Sequence, residues 1–192
     1  MISGERSLVD APYRNSGNLT TKGVDIGATW TKDLSDSGGS FYVNGLVTFL
    51  DEFKIQDAAG EQILDVRDTL STTYYGAQYK YKVNGTVGYN FSGGNASLGL
   101  NWRYLPEIRS EVAARIPNTT QLGADSYQVF ALFARYSIND KLEFRGGIDN
   151  LLDEDPVIVE ARPGVDTNSD VTRPDYYDIL GRRAYIGLKM SF

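Results

Sequence analysis

Seven runs of two-residue apolar alternation, joined by connections that are short and long in strict turn, constrain this chain more than any other feature. The last run shows the pattern most plainly. Reading back from the C-terminus, Phe192, Met190, Leu188, Ile186 and Ala184 are apolar, and Ser191, Lys189, Gly187 and Tyr185 lie between them. Successive side chains of a strand point to opposite faces, so such a run predicts a strand with one apolar and one polar face. At about ten residues it is long enough to cross a bilayer, because a tilted transmembrane strand takes roughly 9 to 11. A single run fits an amphipathic strand of a soluble sandwich equally well, so the decision rests on recurrence.

The pattern recurs six times upstream. The apolar positions are Val24 to Trp30, Phe41 to Phe49, Tyr81 to Phe91, Ala96 to Tyr104, Phe130 to Ile138 and Leu142 to Ile148, each taken at every second residue. Connections are short at about 34 to 39, 92 to 95 and 139 to 141, and long at about 56 to 78, 106 to 125 and 152 to 178. Outer-membrane barrels have this asymmetry, with tight periplasmic turns on one rim and long extracellular loops on the other. Aromatic residues sit near the strand ends: Trp30, Phe41, Phe91, Tyr136 and Phe192 toward the short turns, and Phe49, Tyr81, Trp102 and Tyr104 toward the long loops. They predict two interfacial girdles. The predicted fold is all-β: an antiparallel up-and-down transmembrane β-barrel segment of about seven strands, open as it stands. Bacterial single-chain barrels have an even number of strands, and unpaired edges are costly in hydrocarbon. The expectation is therefore a segment of a larger barrel, with residues 1–17 as a polar loop and 18–192 as the barrel segment.

Composition removes other classes. The longest apolar stretches fall far short of a membrane-spanning helix, and a mean hydropathy of -0.33 is what alternating faces average to. A formal net charge of -6 without a Lys/Arg run argues against nucleic acid. There is no cysteine for disulfide or thiol chemistry and no histidine for general base work or metal ligation. Asp51-Glu52 and Asp153-Glu154 are adjacent acids with no partners suggesting catalysis, so no enzyme, cofactor or metal is expected. Asp166, Asn168 and Asp170 have the opening spacing of a calcium loop, but Val171 replaces the turn glycine and Tyr177 the bidentate acid. Five Asn-X-Ser/Thr sequons, at Asn18, Asn84, Asn90, Asn95 and Asn118, are background if the source is bacterial. Lys82, Arg103, Arg135, Arg145 and Lys189 fall on the polar face and are expected to wet the inner wall. Met1 to Ser7 carries no basic-then-apolar export signal, which leads to the expectation of a processed piece or the C-terminal part of something longer.

Four segments carry a resemblance to the TonB-dependent outer-membrane receptors: Thr21-Lys-Gly-Val-Asp25 opening a strand, Gly147-Ile-Asp-Asn-Leu-Leu-Asp153, Tyr177-Asp-Ile-Leu-Gly-Arg-Arg183, and the terminal Phe192. The resemblance extends from about Asn15 to the end, with Leu152 where the family often has Phe. It implies the C-terminal part of a 22-stranded barrel and a function in energised, TonB-dependent uptake of a scarce ligand such as a siderophore, cobalamin or oligosaccharide. The implied partners are outer-membrane lipid, the barrel assembly machinery, a plug and further strands, and the TonB complex acting through an N-terminal part. Tyr185, Ile186, Leu188, Met190 and Phe192 resemble the assembly signal. Tyr74, Tyr75, Arg103 and Arg109, in or beside the long loops, are the expected ligand contacts, because aromatics and arginine supply most recognition energy at such surfaces. Two alternatives stay open: a passive pore or structural outer-membrane barrel, and a soluble barrel holding an apolar ligand inside.

Overall fold

The computed structural model describes residues 17–34, 38–56, 63–71, 76–112, 116, 118, 123–159 and 171–191. Its strands are β1 (Asn18–Leu34), β2 (Gly39–Gln56), β3 (Leu64–Asp65), β4 (Thr69–Leu70), β5 (Tyr81–Asn90), β6 (Ala96–Leu105), β7 (Ile108–Ser110), β8 (Gly123–Ala124), β9 (Tyr127–Asn139), β10 (Leu142–Asp149), β11 (Ile158–Val159), β12 (Val171–Thr172) and β13 (Arg183–Met190). The seven alternating runs are all present as strands. They form one meander, in the order β1-β2-β5-β6-β9-β10-β13, with β3 attached to β2 off that path. Every neighbouring pair in the meander is antiparallel. No helix among the described residues is long and apolar enough to cross a membrane.

Register turns the alternation into rows that cross the sheet. Trp30, Val43, Val87, Leu100, Leu132, Ile148 and Ala184 are consecutive partners across all seven strands, with no polar side chain among them. The next row toward the short turns holds Phe41, Tyr89, Leu98, Ala134, Gly146 and Ile186. This face is left bare, with Val24 58 %, Trp30 54 % and Ile186 82 % exposed. In water such an area would drive aggregation; in lipid it is the outer wall.

Two aromatic bands bound it. Toward the long connections, ring centroids follow one another from Phe49 to Tyr81 (6.3 Å), Tyr81 to Tyr104 (6.2 Å), Tyr104 to Trp102 (5.9 Å) and Trp102 to Phe130 (6.5 Å). Toward the short turns, Phe41 meets Tyr89 at 4.7 Å and Tyr89 meets Phe91 at 4.9 Å. Eight residues separate Phe41 from Phe49 on β2, roughly 26 Å along the strand, or about 20 Å along the normal at a tilt near 40°. The apolar band of an outer-membrane barrel is about 25 Å tall. Both bands also step toward the short turns on passing from strand to strand. Tyr104 is a row below Tyr81 and Trp102 a row below that, while Tyr136 and Phe144 lie a row beyond Phe41 and Tyr89. A flat slab cut across tilted strands produces this slant.

The sequence pattern begins the first strand at Gly23 and closes the second run at Leu50, whereas β1 and β2 extend to Asn18 and Gln56. The reason is a β-bulge: Gly23 pairs with Leu50 but Lys22 pairs with Glu52, leaving Asp51 as the extra residue. A bulge shifts the phase of a strand by one, so the apolar period is interrupted there. Beyond it, the positions that continue the outer face carry Lys22, Glu52 and Lys54, with Glu52 accepting from Lys22 at 3.0 Å and lying 3.3 Å from Lys54. Ile55 turns to the other side and is buried.

The polar face has its own packing. Thr31, Tyr42, Gly88, Gly99, Phe133, Gly147 and Tyr185 form a row across the sheet. In it the rings of Tyr42, Phe133 and Tyr185 lie directly on the glycines of the neighbouring strands, Gly88, Gly99 and Gly147, where any Cβ would collide with them. Rings laid over glycine pin strand register. Replacing Gly99 with Val is therefore expected to destabilise the folded barrel by about 1 to 3 kcal/mol through overpacking against Phe133. Gly45→Ala, where an added Cβ meets nothing within 4 Å, serves as the control. The check is the temperature at which the folded, fast-migrating form is lost on a detergent gel; equal loss in both variants would refute the packing role.

Candidate functional site

The buried core of this chain lies beyond the sheet, where the three long connections meet. β4, from the connection after β2, pairs in parallel with β7, and β7 pairs antiparallel with β8, both from the connection after β6. The connection after β10 supplies Val159 and Tyr177, which are buried with Leu70, Tyr79, Leu105, Ile108 and Tyr127. All three connections are thereby joined into one cap.

Tyrosines hold it together because each offers a large ring to bury and one hydroxyl to satisfy. The Tyr79 and Tyr177 hydroxyls share a hydrogen bond of 2.8 Å, and the Tyr177 ring packs edge-on against Tyr127 with centroids 5.1 Å apart. Tyr127 Oη accepts from the Asp178 amide at 3.1 Å, and Tyr176 Oη accepts from the Ala77 amide at 2.9 Å. Burial pushes the hydroxyls of Tyr79 and Tyr177 above the ordinary tyrosine range, and their shared hydrogen bond raises Tyr79 further.

The cap rests on the polar face. Leu105 and Tyr127 are register partners on the same side of the sheet as Arg103 and Val129, and Val129 packs against the buried cluster. Arg103 Nη2 donates to the Tyr176 carbonyl at 3.4 Å, and Lys82 Nζ sits 5.8 Å above the Tyr79 ring. The polar face is consequently the covered, inner one.

The two resembling segments near the C-terminus clasp each other at this rim. Asn150 is buried, accepting from the Glu154 amide at 2.8 Å and donating to its carbonyl at 2.9 Å. Asp153 Oδ1 accepts from the Arg182 amide at 2.8 Å, and Arg183 reaches Asp178 at 3.3 Å. Asn150 and Asp153 adopt φ of 48° and 60°, a left-handed conformation that short polar side chains tolerate better than most.

Of the expected ligand contacts, Tyr74 and Tyr75 lie outside the described residues. Arg103 is enclosed beneath the cap, its Nε buried without a hydrogen-bond partner. Arg109 is exposed on β7 and lines a cleft of about 450 Å³ together with Asp68, Lys80, Glu107, Asp125 and Ile158. Lys80 stands 3.7 Å from Asp68. The cleft brings two cations, three acids and an apolar wall together, an arrangement suited to orienting a polar ligand rather than to catalysis. Lys80, Asp68, Glu107 and Asp125 were not singled out by the sequence, since none belongs to a motif and only the β4–β7–β8 pairing gathers them. Among the expected assembly residues, Ile186, Leu188 and Met190 are exposed on the outer face of β13 and Tyr185 is on the opposite face. Phe192 is outside the described residues, as are Asp166, Asn168 and Asp170. Among the described residues no group of three or more acids is placed to hold a metal.

A family model for the TonB dependent receptor-like β-barrel matches residues 2–151. The chain belongs to this family. No curated protein and no solved structure matches it. Membership makes the chain part of a bacterial outer-membrane receptor family, with transport rather than catalysis as its setting and with contact to TonB through an N-terminal part.

The tyrosine cap has a pH signature. A hydroxyl whose folded-state pKa is raised contributes stability that is whole below the ordinary value near 10 and is lost as pH rises above it. Absorbance titration at 295 nm is expected to show Tyr79 and Tyr177 ionising above the ordinary tyrosine range, with protease cleavage of the long connections increasing as they do. Tyr177→Phe leaves the buried Tyr79 hydroxyl without its partner and is expected to cost about 1 to 3 kcal/mol of cap stability. Unchanged cleavage in that variant would show the hydrogen bond to be dispensable.

Proposed function

We propose that residues 18–192 are the C-terminal segment of a receptor barrel, led into by the polar loop 1–17. We further propose that the assembled protein takes up a scarce ligand, such as a siderophore, cobalamin or an oligosaccharide, in a TonB-dependent, energised step. The observation that carries this reading is the cap: three long connections welded together over the inner face at one rim, with a cleft opening beside them. A passive pore needs its mouth clear, and a soluble barrel with an apolar ligand would turn its apolar face toward the covered side. Here the covered face is the one bearing Arg103 and Lys82.

In this reading Arg109 contacts ligand, as do Tyr74 and Tyr75 of the same rim's long connections, while Arg103, the fourth expected contact, is engaged by the cap. The outer positions of β13, Ile186, Leu188 and Met190, with Tyr185 and Phe192, present the strand to the assembly machinery and then to lipid.

The test is uptake by the native host, with the gene intact or deleted, of an iron–siderophore complex, cobalamin and an oligosaccharide. One of the three is expected to depend on the gene and to stop when a protonophore collapses the inner-membrane gradient. Gene-dependent uptake that survives the protonophore identifies a passive pore. Uptake of all three that is indifferent to the gene removes the receptor reading.

A further inference from the structure

Six cations of the described meander fall on the inner face, and the structure divides them, with Arg183 paired to Asp149 and Asp178 at the long-connection rim. Lys82 and Arg103 are engaged by the cap, against Tyr79 and the Tyr176 carbonyl. The other three, Arg135 on β9, Arg145 on β10 and Lys189 on β13, converge at the opposite, short-turn end. Arg135 and Arg145 are direct cross-strand partners. Like charges in that relation repel, and a single carboxylate, Glu143, holds them. It lies 3.5 Å from Arg135, is bonded by Arg145 Nε, and accepts from Ser137 Oγ at 3.4 Å. Lys189 is its register partner on the far side. Three cations thus surround one acid.

Among the described residues nothing nearby corrects the imbalance. Asp140 and Lys141 in the adjoining turn offset each other, and both line the same cleft as Glu143. Asp33 ends the row that contains Arg135, but Ser40, Asn90 and Ser97 intervene, about 19 Å at the usual strand spacing. That is well beyond a Debye length at physiological salt. The cations are also accessible, with Arg145 57 % and Arg135 42 % exposed at their side chains while Glu143 is only 15 % exposed. The adjoining cleft measures about 370 Å³ and carries polar atoms from Asn95, Ser137, Asn139 and Ser191. In a chain of net charge -6, this is a local reversal of sign on the wall of a lumen.

We propose that Arg135, Arg145 and Lys189, arranged around Glu143, form an oxyanion-binding site at the short-turn end of the lumen, and that the ligand passing there bears carboxylate or phosphate groups. Arginine and lysine rings select anions in other pores for the same reason: a cation on a confined aqueous wall attracts an anion more strongly than in bulk water. The cleft at the long-connection rim mixes Lys80 and Arg109 with Asp68, Glu107 and Asp125 and so discriminates poorly by net charge. Selection by sign falls to the inner end. The ligand's identity in this inference rests on the uptake reading, whereas the anion site itself does not.

The experiment is calorimetric titration of the receptor, purified whole from its outer membrane in detergent, with citrate and with pyrophosphate at low salt and at about 150 mM salt. Binding of one or both is expected, weakening with salt, and the preference between the two names the ligand class. The double change R135Q/R145Q is expected to weaken binding about tenfold or more. E143Q is expected to tighten it, since it removes the competing internal carboxylate. Lys189→Gln leaves the pairs with Glu143 intact and supplies the comparison if the double variant loses the folded, fast-migrating form. Absence of binding by both probes, or equal binding in the wild type and all variants, overturns the anion site. Gene-dependent, protonophore-sensitive uptake persisting alongside that result leaves the receptor reading standing, so the two failures are separable.

Discussion

Backbone amides and carbonyls in hydrocarbon have no water to bond to, so the ladders joining β1, β2, β5, β6, β9, β10 and β13 are the condition on which every other feature depends. Each inner strand satisfies its backbone on both sides. β1 and β13 do so on one side only, and because five strands stand between them in an antiparallel order, these two run in the same direction. Antiparallel closure therefore requires an odd number of further strands, giving an even total. The open edges are compatible with a membrane only as seams to more of the same barrel.

Once the ladders fix register, a side chain's face follows from its position, and the two faces solve different problems. The outer face needs only to be apolar between two interfaces, so Val, Leu, Ile and Phe replace one another freely along its rows. The inner face must be polar yet keep the strands aligned, and the row of Tyr42, Phe133 and Tyr185 over Gly88, Gly99 and Gly147 meets that need with apolar rings. The weakly polar inner side of β9 is thereby accounted for: Phe133 stands where Gly99 makes room for it. The bulge at Asp51 marks where the first problem ends. Past the aromatic band the outer positions no longer touch lipid, and the shift in phase puts Lys22, Glu52 and Lys54 outside while turning Ile55 in.

What could be read from the sequence is what repeats. Strand number, the alternation of turn lengths, the two girdles and the membership of each face all derive from a period of two, which needs no tertiary knowledge. The extensions of β1 and β2 were hidden because a bulge breaks that period. The cap was hidden for a different reason. Tyr79, Tyr127 and Tyr177 are far apart in sequence, and a tyrosine beside a strand looks the same whether it borders lipid or closes a loop cluster. Arg103 shows the consequence: its position on the inner face was legible, and its bond to the Tyr176 carbonyl beneath the cap was not. Arg109 was legible only as a cation in a loop, and the pairing of β7 with β4 and β8 gives it a cleft.

The cap and the cation cluster also explain each other's placement. A loop cluster that folds inward over a polar wall must bring partners for the charges it covers, which is why Arg103 meets a carbonyl and Lys82 a ring. Charges left uncovered stay hydrated and keep their field. Arg135, Arg145 and Lys189 lie at the end the cap does not reach, so their repulsion is tempered by water and Glu143 rather than removed by pairing. The positive end of the inner wall is thus a result of where the roof stops: the same connections that close one rim leave the other electrostatically open. A site that attracts anions can persist there without destabilising the sheet that carries it.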